Sequence, residues 1–157
     1  MVEIRDAVQS DSRAIGAITI ESAETHVALA PRFYRVPDMT DATRRAEAQL
    51  ADPHRTTLVA VSDGYVVGFV QLTALPAPEP GSMVRPLRAA DIGIAVAAMH
   101  RGRGIGRALM EAAEDRAARD GTELLTLNAL TANEPGIGLY RSLGYEASGV
   151  LMHRWID

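Results

Sequence analysis

Arg101-Gly102-Arg103-Gly104-Ile105-Gly106 stands between a strand-like run, Ile92 to Val96, and a helix-like run, Ile105 to Arg119. No other stretch narrows the choice of fold so far. A glycine-rich turn from strand to helix brings backbone N–H groups close to an anion and aims the positive end of the helix dipole at it. Arg101, Arg103 and Arg107 add positive charge at the same place. The turn therefore reads as a phosphate cradle.

Two owners of such a turn fail on the residues present. A Walker-type loop needs Gly-Lys followed by Ser or Thr, and the chain contains no lysine. A dinucleotide fingerprint needs Gly-x-Gly-x-x-Gly, but Arg107 occupies the place of the third glycine. The pattern that remains is Arg/Gln-x-x-Gly-x-Gly/Ala, filled by Arg101, Gly104 and Gly106. On the loop alone, a plain turn with solvated arginines stays open beside it.

Composition removes further classes. A net charge of −4 argues against a general nucleic-acid surface, and no nucleic-acid partner is expected, although the basic patch at residues 101 to 107 survives that objection. With 16 basic residues, all arginine, and no cysteine, lysine Schiff bases, thiolate nucleophiles, disulfides and thiolate metal sites are excluded. His26, His54, His100 and His153 have no paired spacing, so no metal is expected. No apolar run approaches a bilayer span, and the first residues lack a signal-peptide core. The expectation is a soluble, cytoplasmic protein with no membrane partner, and the arginine-for-lysine bias reads as the drift of a GC-rich bacterial genome.

At 157 residues the chain is expected to form a single domain, residues 1–157. Val2 to Arg5 reads as a strand, and Ser10 or Asp11 starts a helix carrying Ala14, Ile15 and Ile18 on one stripe. An irregular connector with Pro31 and Pro37 leads to a second helix, from Thr40 or Asp41 to about Leu50. Thr57 to Val61 and Val66 to Ala74 flank Ser62-Asp63-Gly64-Tyr65, a hairpin signal with Asp-Gly at the turn. Four prolines between Leu75 and Arg88 predict a stiff, irregular loop. Ala89 to Val96 is then a strand with Ile92, Ile94 and Val96 on one face and Asp91, Gly93 and Ala95 on the other. Ile105, Ala108, Leu109, Ala112, Ala113 and Ala117 recur at helical spacing, and Gly121 ends that helix. Leu124 to Asn128 reads as a short strand, Asn133 to Leu143 as a helix, and Tyr145 to Ile156 as one or two last strands. The order βααβββαβαβ is α+β: a central mixed, mostly antiparallel sheet, one parallel or splayed strand pair, and helices on both faces.

A second signature lies downstream. Asn133, Leu139, Tyr140, Leu143, Gly144 and Tyr145 resemble the later motif of the GNAT superfamily of acyl-CoA-dependent N-acetyltransferases, and the loop filled by Arg101, Gly104 and Gly106 resembles that family's pyrophosphate loop. The two motifs are separated by one helix and one strand. The resemblance covers most of residues 88 to 150, and the N-terminal third agrees only in its order of elements. Asn133 and Tyr140 suit one ligand on spacing alone: seven helical residues advance roughly 10.5 Å and leave both side chains on one face. Their ordinary roles, as an N-cap and a half-buried core residue, are compatible with that.

The resemblance implies a GNAT-like fold and attack of a primary amine on the thioester of acetyl-CoA, with no covalent enzyme intermediate and no metal. It implies coenzyme contacts from Ile94, Val96, Arg101, Gly102, Arg103, Gly104, Ile105, Gly106, Arg107, Asn133 and Tyr140. Tyr140 is the candidate general acid and a backbone N–H near Val96 the oxyanion donor. Asp91 is the candidate base, with Glu21, Glu24 and His26 in reserve. Phe33, Tyr34 and Trp155 are candidates to line an acceptor pocket, and Leu151, Trp155 and Ile156 to form a homodimer seam. A small-molecule amine and a protein N-terminus both remain open as acceptor, and a non-catalytic acyl-CoA sensor is the alternative.

Overall fold

The computed structural model describes residues 1–156, and its sheet is built around the expected hairpin. β2 (Arg55–Ser62) and β3 (Tyr65–Ala74) pair antiparallel through Asp63 and Gly64, whose φ angles of 51° and 83° give the two left-handed residues a type I′ turn needs. β1 (Val2–Asp6) pairs antiparallel with β2, and β4 (Ala89–Val96) antiparallel with β3. The parallel pair is β4 with β5 (Leu124–Thr126), giving the order β1-β2-β3-β4-β5. This is the mixed, mostly antiparallel sheet expected.

Helices cover both faces. α1 (Ser12–Leu29) and α2 (Met39–Ala51) bury Ile15 and Ala46 against Val59 on one side. α3 (Ile105–Arg119) seals the other, where fully buried Leu109 and Met110 meet Leu58, Val70, Leu72 and Ile92. α4 (Glu134–Ser142) packs Leu139 and Tyr140 against that second core. At a register shift beside Ala60, Val67 becomes the extra residue of β3, so that Val67 and Gly68 both face α3. Among the described residues no helix is long and apolar enough to cross a membrane.

What positions the site is the parting of β4 and β5. Their pairing runs only from Ala89↔Leu124 to Asp91↔Thr126, so the rest of β4 has an open edge. Ala97 donates its N–H to Val67 (2.8 Å) and Ala89 accepts from Leu75 (2.8 Å), so the odd residues of β4 face β3. Alternation turns the peptide groups of Ile94 and Val96 to the open edge.

Two expectations need correction. β5 ends at Thr126, short of Asn128, and no strand forms over Tyr145 to Ile156. A β-prone sequence forms a strand only where an edge accepts its hydrogen bonds, and none is paired with this segment. Its rings hold it elsewhere: His153 meets Phe33 edge-on at 4.6 Å and Trp155 lies tilted against Phe33 at 4.9 Å, while Leu151 and Ile156 stand exposed.

Candidate active site

The loop before α3 is shaped by its glycines, each for a separate reason. Gly102 and Gly104 take left-handed φ angles of 72° and 80°, which cost an L side chain about 1–2 kcal/mol. Gly106 lies inside the helix, where an added Cβ would come within 3.3 Å of Leu139 Cδ2, so it lets α3 and α4 approach closely. The first intrahelical bond runs from Ala108 N–H to Gly104 C=O (3.1 Å), leaving the N–H groups of Ile105, Gly106 and Arg107 without helical partners. Buried Ile105 and Leu109 fix this end of the helix against the sheet.

The three arginines do different things. Arg101 turns back on its own strand, its Nε donating to Val96 C=O (2.9 Å) and its Nη1 to Thr25 Oγ1 (3.3 Å) on α1. Arg107 donates to Ser142 Oγ (2.5 Å) and so ties α3 to the end of α4. Arg103 is exposed and makes no hydrogen bond or ion pair among the described residues, which leaves its charge for an anion at the cradle. Glu21, a reserve base, accepts the Ala98 N–H (2.5 Å) and anchors the loop to α1. His26 donates Nδ1–H to Ser22 C=O (2.7 Å), and Glu24 is exposed on α1.

Asn133 caps α4, its Oδ1 accepting the Gly136 N–H at 3.3 Å. The cap side chain fills the space beside Gly136, where a Cβ would fall 2.5 Å from Asn133 Nδ2. Seven residues on from Asn133, Tyr140 is half-buried against the core that Ile94 and Val96 also flank. Burial raises the pKa of its phenol above the usual tyrosine value, and among the described residues the hydroxyl makes no hydrogen bond. Tyr145 sits edge-on to it at 6.2 Å. Burial, and then the neighbouring Glu114 carboxylate, push Tyr145 up as well; its hydroxyl and Glu114 Oε1 are both buried without a hydrogen-bond partner.

Asp91 lies on the opposite face of the sheet, half-buried, accepting from Thr126 Oγ1 (3.3 Å) at the last β4–β5 pair. It therefore stands where the strands part. On this face a cavity of about 210 Å³ opens between the sheet and α1 and α2, lined among others by Arg45 and Gln49 from α2, Phe69 and Gln71 from β3, and Gly93 and Ala95 from β4. Among the described residues its only aromatic wall is Phe69. Phe33, Tyr34 and Trp155 cluster instead at the α1–α2 connector with His26 and His153. The sequence offered one faint signal for the cavity: Ala42, Arg45, Ala46 and Gln49 fall on a single helical face. That spacing equally describes any half-exposed helix.

Comparison with known proteins bears on the family and the fold. The model of the acetyltransferase (GNAT) family matches residues 22–145. The N-acetyltransferase YhfO of Bacillus subtilis (strain 168), itself uncharacterised, is 31% identical over 153 residues, covering 97% of this chain and 95% of YhfO. The N-alpha-acetyltransferase RimI of Mycobacterium tuberculosis (strain ATCC 25618 / H37Rv) is 31% identical over 136 residues, covering 87% and 80% of the two chains. In fold, the chain superimposes on the BH1408 protein of Bacillus halodurans, crystallised as its F44R mutant, with a TM-score of 0.90 at 21% identity over 99% of both.

Proposed function

This chain belongs to the GNAT family of acetyltransferases and is an acetyl-CoA-dependent N-acetyltransferase, and from that premise we propose that it acetylates a primary amine by direct attack, with Tyr140 and Asp91 on opposite sides of the reacting bond. The observation that carries this reading is the open edge of β4. The phosphate cradle and Tyr140 flank it on one face of the sheet, and Asp91 and the cavity flank it on the other.

The residues fit the coenzyme. The unpartnered N–H groups of residues 105–107 and the Arg103 guanidinium are suited to its pyrophosphate, and the edge peptides of Ile94 and Val96, with Asn133, to its pantetheine arm. When bound, acetyl-CoA supplies an acetyl group activated as a thioester. Every remaining requirement falls to the chain. The Val96 N–H donates to the carbonyl oxygen as negative charge develops there. Tyr140 donates to the departing sulfur. A phenol near its reference pKa of about 10 would lose a proton to a thiolate of about 8.5 only uphill, by about 2 kcal/mol, and burial raises that cost. Tyr140 therefore acts as a neutral hydrogen-bond donor more than as a full acid. Asp91 takes the proton from the attacking amine through water.

The acceptor is a small-molecule amine or a protein N-terminus, the latter supported by the likeness to the N-alpha-acetyltransferase RimI. The test is release of free thiol from acetyl-CoA across a panel of amines and N-terminal peptides. Turnover on a subset is the expected result. Tight coenzyme binding with no thiol release on the whole panel would leave the sensor reading in its place.

A further inference from the structure

The acceptor cavity carries a charge that the transfer chemistry does not require. Among the described residues Arg45 is the only ionisable group lining it, the rest being apolar or uncharged polar side chains and the exposed Gly93. Arg45 makes no ion pair or hydrogen bond among the described residues. Glu47, two positions on, lies round the helix from Arg45, and the acidic residues one turn before it and at the C-cap are already engaged. Asp41 pairs with Arg44 at 3.5 Å, and Asp52 accepts from His54 N–H (2.9 Å) and from Arg55 Nε (3.1 Å).

Position matters as much as charge. α1 packs over β3 and β4, whereas α2 packs over β2. Arg45, on α2, therefore stands at the side of the cavity away from the β4–β5 opening, while Gly93 and Ala95 form the side next to it. A second cavity, of about 260 Å³, shares Arg45 and Gln49 and extends the same groove toward Arg55. The first cavity, at about 210 Å³, is below the roughly 300–1,000 Å³ of drug-sized ligand sites and holds about seven waters' volume at about 30 Å³ each.

We propose that the acceptor is a small amine bearing an anionic group, whose amine reaches the β4–β5 opening while Arg45 holds the anion across the cavity. The proposal rests on the acetyl-transfer reading above. A guanidinium fork matches carboxylate and phosphate oxygens in a bidentate manner. Gln49 supplies a neutral donor beside it, Gln71 is held in the wall by its bonds to Thr57 and Arg55, and Phe69, Ala42 and Ala46 pack along the connecting chain. The same lining disfavours a polycationic acceptor, because among the described residues the first cavity holds Arg45 and no carboxylate, and Asp52 in the adjoining cavity is already held by Arg55.

The experiment is a matched series followed by thiol release from acetyl-CoA, at equal concentrations of neutral amine. Glycine, β-alanine and γ-aminobutyrate are each compared with the corresponding amide, aminoethyl phosphate with ethanolamine, and putrescine serves as the dication. At least one anionic member is expected to exceed its neutral partner in kcat/KM by roughly tenfold or more, the loss that follows when a charged hydrogen bond goes unmade. The carboxylate and phosphate arms then identify which anion is preferred. Arg45→Gln should abolish that preference mainly through KM, bringing each anionic amine to the rate of its neutral partner, while Arg44→Gln, at the adjacent and equally exposed arginine, preserves it. Equal rates across the pairs, faster reaction of putrescine, or a preference that survives Arg45→Gln would overturn the inference while leaving acetyl transfer intact. Absence of thiol release with every amine and peptide, despite coenzyme binding, would instead sink the reading beneath it.

Discussion

Tyr140 keeps its proton because it is half-buried, and it keeps its hydroxyl available because no protein group among those described claims it. Tyr140→Phe is therefore expected to lower kcat about tenfold to a hundredfold, at 1.4 kcal/mol per decade, with coenzyme Kd changed less than about twofold. With its pKa raised above the usual value of about 10, the shape of the rate profile below that pH should be the same in both enzymes. Asp91 faces the other way, at the last paired residue before the strands part. Asp91→Asn should lower kcat about a hundredfold or more; an unchanged kcat would acquit Asp91 and return the search to Glu24. The elements that carry both residues, a helix and an alternating strand, were legible in the sequence because each is a local pattern, whereas the roles proposed for them come from the family resemblance. The bonds of Arg101 and Glu21 were not legible, since Thr25 and Ala98 are distant in sequence from the groups they meet.

At the scale of elements, the loop and α4 show what a glycine is for only when its surroundings are known. Gly104 holds φ at 80°, whereas Gly138 lies within α4 with nothing near a prospective Cβ. Gly104→Ala should cost about 1–2 kcal/mol and weaken coenzyme binding severalfold, because the N–H groups of residues 105–107 shift with it. Gly138→Ala should stabilise by about 0.5–1 kcal/mol through the smaller entropy loss of alanine. Thermal melts and coenzyme titration calorimetry distinguish the two. Equal melting temperatures would contradict the backbone argument. The predicted helix from Asn133 to Leu143 forms as α4, with Asn133 as its cap, because capping, Pro135 in the first turn and helical spacing are all local signals. The predicted last strand does not form, because pairing is never local.

Across the whole molecule, the sheet separates two sides that meet at one gap. The α3 side carries the cradle and Tyr140 over the core centred on Leu109, and the α1–α2 side carries Asp91 and the cavity. Leu109 is fully buried, so Leu109→Ala should cost about 2–5 kcal/mol. Differential scanning calorimetry should register a fall of about 5–15 °C, at roughly 2–4 °C per kcal/mol for a domain of this size. A change under about 2 °C would mean that the core closes around the loss. The chain alone determined the α+β order, the hairpin, the glycine loop and the spacing of Asn133 and Tyr140, because backbone conformation and helical periodicity depend on neighbours in sequence. Tertiary structure decided where β4 and β5 part, which arginines are spent on the scaffold, and that Arg45, Gln71 and Gly93 line one cavity. Strand register and helix packing place those residues together, and both are set by contacts between segments that share no local signal.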